Sequence, residues 1–173
     1  MIKAISFIFK KEDITFPAFR NHYELMHAPL AQSLLRPPFY ERNYVYECIK
    51  GNDAIGSISI FKYPDMQALQ TVNTILQSIE ASPLREDELT FMQPDKNYFY
   101  LVKETVLNHV KPTEKIFVIQ KNNNEPLDFE SSILSKNISD DLLIIECDID
   151  VLETNILSEP DKEIYICSTN PKK

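Results

Sequence analysis

Glycine is nearly missing: the 173 residues contain two, Gly51 and Gly56. A chain this poor in glycine has no loop to cradle a phosphate in backbone N–H groups and no dinucleotide fingerprint. Excess positive charge is missing too. With 18 Lys and Arg against 26 Asp and Glu, the formal net charge is −8. That excludes nucleic acid and an anionic membrane surface as partners, because both need clustered cations. Paired cysteines are absent: Cys48, Cys147 and Cys167 stand far apart, which reads as free thiols in a reducing compartment rather than a disulfide framework or a zinc site. No long apolar run occurs. "MIKAISFIFKK" ends in lysines well short of the roughly 18 residues of a membrane helix, and no small-residue cleavage site follows it. The expected location is the cytoplasm.

What is present is enough for one real core and a small second one: 43% of the side chains are hydrophobic and 10% aromatic. Ile5, Phe7 and Phe9 alternate along a first strand whose other face is small or apolar. Thr15 caps a helix with Pro17 in its first turn. Phe19, Tyr23, Met26, Leu30 and Leu34 recur at intervals of three and four, giving that helix a core-facing stripe to about Leu35, where Pro37 and Pro38 stop it. "YERNYVYECIKG" and "IGSISIFKYP" flank "GNDA" and predict an antiparallel hairpin. Asp65 caps a second helix with a stripe through Met66, Leu69, Val72, Ile75, Leu76 and Ile79 that Pro83 ends. A polar connection, "REDELTFMQPDK", leads to the strand "NYFYLVKETV".

The order strand, helix, strand, strand, helix, strand predicts an α+β fold: a ferredoxin-like βαββαβ unit over residues 1–106. Residues 107–114 read as a linker, and residues 115–173 as a smaller, abbreviated α/β tail, a second ferredoxin-like unit packing on the first. In that tail "KIFVIQK", "LLIIECDI" and "EIYICST" read as strands, "PLDFESSILSK" as a short helix, "VLETNIL" as a helical turn and "NNN" as a turn.

One constellation could carry chemistry. Tyr23 and His27 are four apart on a helix and so are neighbours on one face, with His22 turned about 100° away. His27 is either a boundary histidine satisfied by its surroundings or a partly desolvated imidazole beside a tyrosine hydroxyl, able to pass protons to a bound molecule. His22 and His109 have no partner at motif spacing. A transition-metal site needs three or four converging ligands, and only Glu24 and Glu41 lie near His27 in sequence, so no metal is expected. No Gly-x-Ser-x-Gly turn and no Cys close to a His points to covalent catalysis.

"HYELMHAPLA" at 22–31, "YERNYVYE" at 40–47 and "ELTFMQPDKNYFYLVKE" at 88–104 together resemble the EthD family of the dimeric α+β barrel group. The likeness spans about residues 1–105. It implies a ferredoxin-like unit whose open sheet face meets a second sheet around a mostly apolar cavity. His27 would be the motif histidine with Tyr23 beside it, and Asn43, Tyr44 and Phe91 would contact substrate. Covering the sheet face would also remove an aromatic patch of Tyr44, Tyr46, Tyr98 and Tyr100 from water. The cover would be a second copy in a homodimer or the C-terminal tail in an internal pseudo-dimer.

The expected function is a cofactor-independent enzyme of oxygenase, dehydratase or decarboxylase type, moving protons on a small hydrophobic or aromatic molecule. The alternative is a non-catalytic ligand-binding or assembly protein of the same fold. A haem-binding variant is a third reading.

Overall fold

Alternating apolar residues build eight strands in the computed structural model, which describes residues 1–106, 114–121, 132–137, 142–148 and 162–169. They are β1 (Ile2–Phe9), β2 (Phe39–Lys50), β3 (Ile55–Tyr63), β4 (Tyr98–Val106), β5 (Glu114–Lys121), β6 (Ser132–Asn137), β7 (Leu142–Asp148) and β8 (Lys162–Ser168). His109, "NNN" and "VLETNIL" lie outside the described residues.

Every neighbouring pair is antiparallel, and the order β1-β3-β2-β8-β5-β7-β6-β4 closes into a barrel. The expected α+β architecture, a ferredoxin-like unit followed by an abbreviated α/β tail, is overturned by this closure. The chain forms one eight-stranded antiparallel barrel and is richer in strand than that class. The reason lies at the edges. Alternation reveals a strand but not its partner, and an open four-stranded sheet leaves two rows of unpaired N–H and C=O groups. Here β2 pairs with β8 and β4 pairs with β6, which satisfies both rows. The second pairing also explains why residues 132–136, read as the end of a short helix, lie in β6 instead. That segment is hydrogen-bonded on both sides, to β4 and to β7.

Helices cover the outer face of β1 and β3. Thr15 Oγ1 accepts from the Ala18 N–H at 3.3 Å and starts α1 (Phe16–His22). The helix continues through a π-helical turn (Tyr23–His27) into α2 (Ala28–Leu35). Asp65 Oδ1 accepts from the Ala68 N–H at 2.9 Å and starts α3 (Met66–Gln77). A 3₁₀ turn (Ile79–Ala81) leads into α4 (Ser82–Phe91). The expected polar connection after Pro83 is therefore a helix. Pro83 sits in its first turn, where a missing N–H costs nothing, so the residue starts a helix rather than ending α3, which stops at Gln77 and leaves Ile79 of its expected stripe 78% exposed.

The π-turn corrects the first helix's predicted stripe. Pro29 cannot donate to the carbonyl four residues back, and its ring would crowd that carbonyl in a regular helix. The chain instead widens by one residue, and the Ala28 N–H bonds to the Tyr23 carbonyl, five back. That extra residue rotates everything beyond Tyr23. The buried set becomes Phe19, Arg20, Tyr23, His27, Ala28 and Ala31, while Met26, expected in the core, is 59% exposed.

Inside the barrel, Ile5, Phe7, Val45, Ile58, Ile60, Val102, Phe117, Ile144 and Tyr165 form one apolar cluster. Tyr98 and Tyr100 join it, with ring centroids 4.9 and 6.0 Å from that of Phe7. One end of the interior is ionic. Lys62 donates to Glu104 at 2.9 Å, Glu104 also accepts from Lys3 at 2.7 Å, and Lys3 donates to Glu146 as well. Glu146 then meets Lys115 at 3.4 Å, and Lys115 reaches Glu41 at 2.5 Å. Charges as buried as Lys3 and Glu146 are tolerable only when paired in this way.

Candidate functional site

Between the outer face of β1 and β3 and the helices lies a cavity of about 210 Å³. It is bounded by Tyr23 and His27 on the π-turn, Tyr40 on β2, Phe61 on β3, Leu69 and Val72 on α3, and Leu84 and Glu88 on α4. It is smaller than the roughly 300 Å³ at which drug-sized sites begin, so it suits a small molecule. The resemblance implied a cavity enclosed by two sheets; the one that His27 lines lies between sheet and helices.

Each wall residue is placed by a local rule. The π-turn carries Tyr23 and His27 to the inner side, with ring centroids 5.0 Å apart and edge to face. His27 is 5% exposed, and its Nδ1–H donates to Asp87 Oδ2 at 2.9 Å. The second oxygen of Asp87 takes His22 Nε2 at 2.7 Å. With Nδ1–H committed to the carboxylate, a neutral His27 keeps its lone pair on Nε2. Burial pushes the imidazole below its ordinary 6.5, against the Asp87 charge, which raises it. The ring is therefore neutral at pH 7 and available as a base.

The other titratable walls move the opposite way. Burial, followed by the neighbouring Asp87 charge, raises Glu88 from its ordinary value. Burial likewise raises the phenols of Tyr23 and Tyr40, so both stay protonated. Their hydroxyls form a chain: Tyr40 donates to Tyr23 at 2.8 Å, Tyr23 lies 3.2 Å from Ser59 Oγ, and Ser59 lies 3.1 Å from Ser57 Oγ.

The five residues named from sequence do not all converge. Tyr23 and His27 line the cavity together. Phe91 packs behind them, 5.5 Å from the Tyr23 ring and 5.2 Å from that of His27. Asn43 and Tyr44 are successive strand residues and so face opposite sides of the sheet. Asn43 is fully buried toward the barrel interior, where its Nδ2 donates to Glu41 Oε1 at 3.1 Å and to the Ile58 carbonyl at 3.0 Å. Tyr44 faces the helices and donates to Glu24 at 2.6 Å, while Arg42 holds the same carboxylate. Sequence reasoning missed Asp87, Glu88 and Tyr40. For the first two, Pro83 followed by an apolar residue and a run of helix formers was the signal.

Among the described residues no group of three or more His, Cys, Asp or Glu side chains is placed to hold a metal ion. Nor is any of their helices long and apolar enough to cross a membrane.

No family model matches the chain, so the EthD resemblance has no such match behind it, and no curated protein matches either. Among solved structures the chain is similar to one described as "Crystal structure of putative monooxygenase from Lactobacillus acidophilus NCFM". The two share 9% sequence identity with a TM-score of 0.46, over 96% of this chain and 92% of that one.

Proposed function

We propose that this protein is an enzyme that takes a proton from a small, largely apolar molecule, with His27 as the general base. The observation that supports it is the Asp87–His27 pair in the wall of a mostly apolar cavity. Asp87 holds the imidazole in one tautomer and one orientation, and Tyr23 packs against it edge to face. A neutral base with low water access is suited to abstracting a weakly acidic proton, a step worth about 10²–10⁴ in rate. Oxygenation, dehydration and decarboxylation can all begin with it.

The test uses a probe that reports base strength alone. Nitrobenzisoxazole loses its ring C–H proton to a base, the electron pair forms a nitrile, and the N–O bond breaks to a coloured phenolate. The wild type is expected to accelerate this saturably and His27→Gln to lose the acceleration with melting unchanged. Wild-type rates in His27→Gln would sink the reading. A second reading, binding without chemistry, is favoured by the way Tyr40, Tyr23 and Ser59 satisfy one another. Saturable binding of the probe with no phenolate would support it.

A further inference from the structure

The proposed base shares its cavity with a second ionisable group that none of the preceding chemistry uses. Glu88 follows Asp87 on α4, lines the same cavity as His27, Tyr23 and Tyr40, and is half-buried. Its neighbour Asp87 is engaged by both histidines, whereas Glu88 adds an acidic group to a mostly apolar wall in which Leu84, Leu69, Val72 and Phe61 stand with the amide of Asn73. A carboxyl so placed serves as a proton donor when it is neutral. We infer that Glu88 is the general acid paired with His27, and that the substrate is a small enolisable carbonyl compound with an apolar remainder. This rests on His27 being a base.

The step balances without a further reactant. His27 Nε2 takes the proton from the carbon next to the carbonyl, and that C–H electron pair becomes the C=C bond. The carbonyl π pair moves onto oxygen, which takes the proton of Glu88. Imidazolium, carboxylate and neutral enol result. Reversal returns a proton to carbon, so in D₂O the substrate gains deuterium. Leu69, Val72 and Phe61 would hold the apolar remainder, and the cavity's size limits it to about one small ring. The groups that act on Glu88 are Asp87, which opposes its ionisation, and Arg85, which favours it; Tyr23 and His27 share its cavity.

Phenylacetone in D₂O is the probe, with deuterium uptake read by NMR. The wild type is expected to exceed His27→Gln, and Glu88→Gln, which can hydrogen-bond but not transfer a proton, to lose about 10²-fold. Glu88→Asp should recover part of that loss. Wild-type exchange should fall as pH rises and Glu88 ionises, and Glu88→Gln should lack this limb, which a purely structural role would not remove. Wild-type exchange in Glu88→Gln overturns the acid role and leaves His27 standing. No uptake above His27→Gln overturns the carbonyl class. His27-independent elimination of nitrobenzisoxazole overturns the base itself and this inference with it.

Discussion

Asp87 Oδ2 lies 2.9 Å from His27 Nδ1, joining two residues sixty positions apart in sequence. The bond links α4 to the π-turn and fixes which imidazole nitrogen carries the lone pair. Asp87→Asn would offer an amide N–H to Nδ1 and move the lone pair to that nitrogen. Elimination of nitrobenzisoxazole should slow by about 10²-fold with the fold retained. Equal rates in wild type and variant would show that the tautomer is not set here.

The same burial makes His27 a source of acid sensitivity. Its folded pKa is depressed, so as pH falls below the ordinary 6.5 the unfolded chain takes up the proton first and stability drops. Glu88 acts in reverse: its raised folded pKa adds stability at low pH that is lost as pH rises through it. Urea midpoints between about pH 7 and pH 5, where histidine titrates, should fall less in His27→Gln than in the wild type. Parallel curves would contradict a depressed imidazole.

Gly56 sets how closely α1 approaches the sheet. A Cβ there would stand 2.5 Å from Cε1 of Phe19, closer than any packed carbon tolerates. Gly56→Ala should cost about 1–3 kcal/mol by overpacking. Phe19→Leu in the same chain should cost less than the two changes summed, and strict additivity in denaturant midpoints would show that the two residues do not touch.

Glu146 bridges Lys3 and Lys115 inside the barrel. Glu146→Gln leaves those ammonium groups one carboxylate each, Glu104 and Glu41, and removing one partner of a buried pair costs about 3–5 kcal/mol. Adding Lys3→Met should return a good part of the loss. A single variant as stable as wild type would mean that water reaches this end of the interior.

Local signals were legible in the sequence and distant ones were not. Thr15 and Asp65 announced their helices because a cap acts within one turn. The hairpin of β2 and β3 followed from two strand-like runs around a glycine turn. The stripe beyond Tyr23 failed because one proline added a residue to the helical turn, and a period count has no means of registering an insertion of phase. Fold class failed at the barrel seams, since β2–β8 and β4–β6 join segments far apart in the chain. In the site, Tyr23 and His27 were visible as near neighbours. Asp87 and Glu88 were hidden in a helix taken for a polar connection, and Asn43 was grouped with Tyr44 although strand geometry sends them opposite ways.

The ionic end of the barrel draws its six charged side chains from six different strands: Lys62 on β3, Glu104 on β4, Lys3 on β1, Glu146 on β7, Lys115 on β5 and Glu41 on β2. Positive and negative groups alternate along it, so it works as a key cut for a single lock. Sliding β7 by one position would swing Glu146 outward and leave Lys3 and Lys115 with one carboxylate each, Glu104 and Glu41. Misaligned assembly is thus proofread by electrostatics, at the place where greasy side chains alone would accept several alignments.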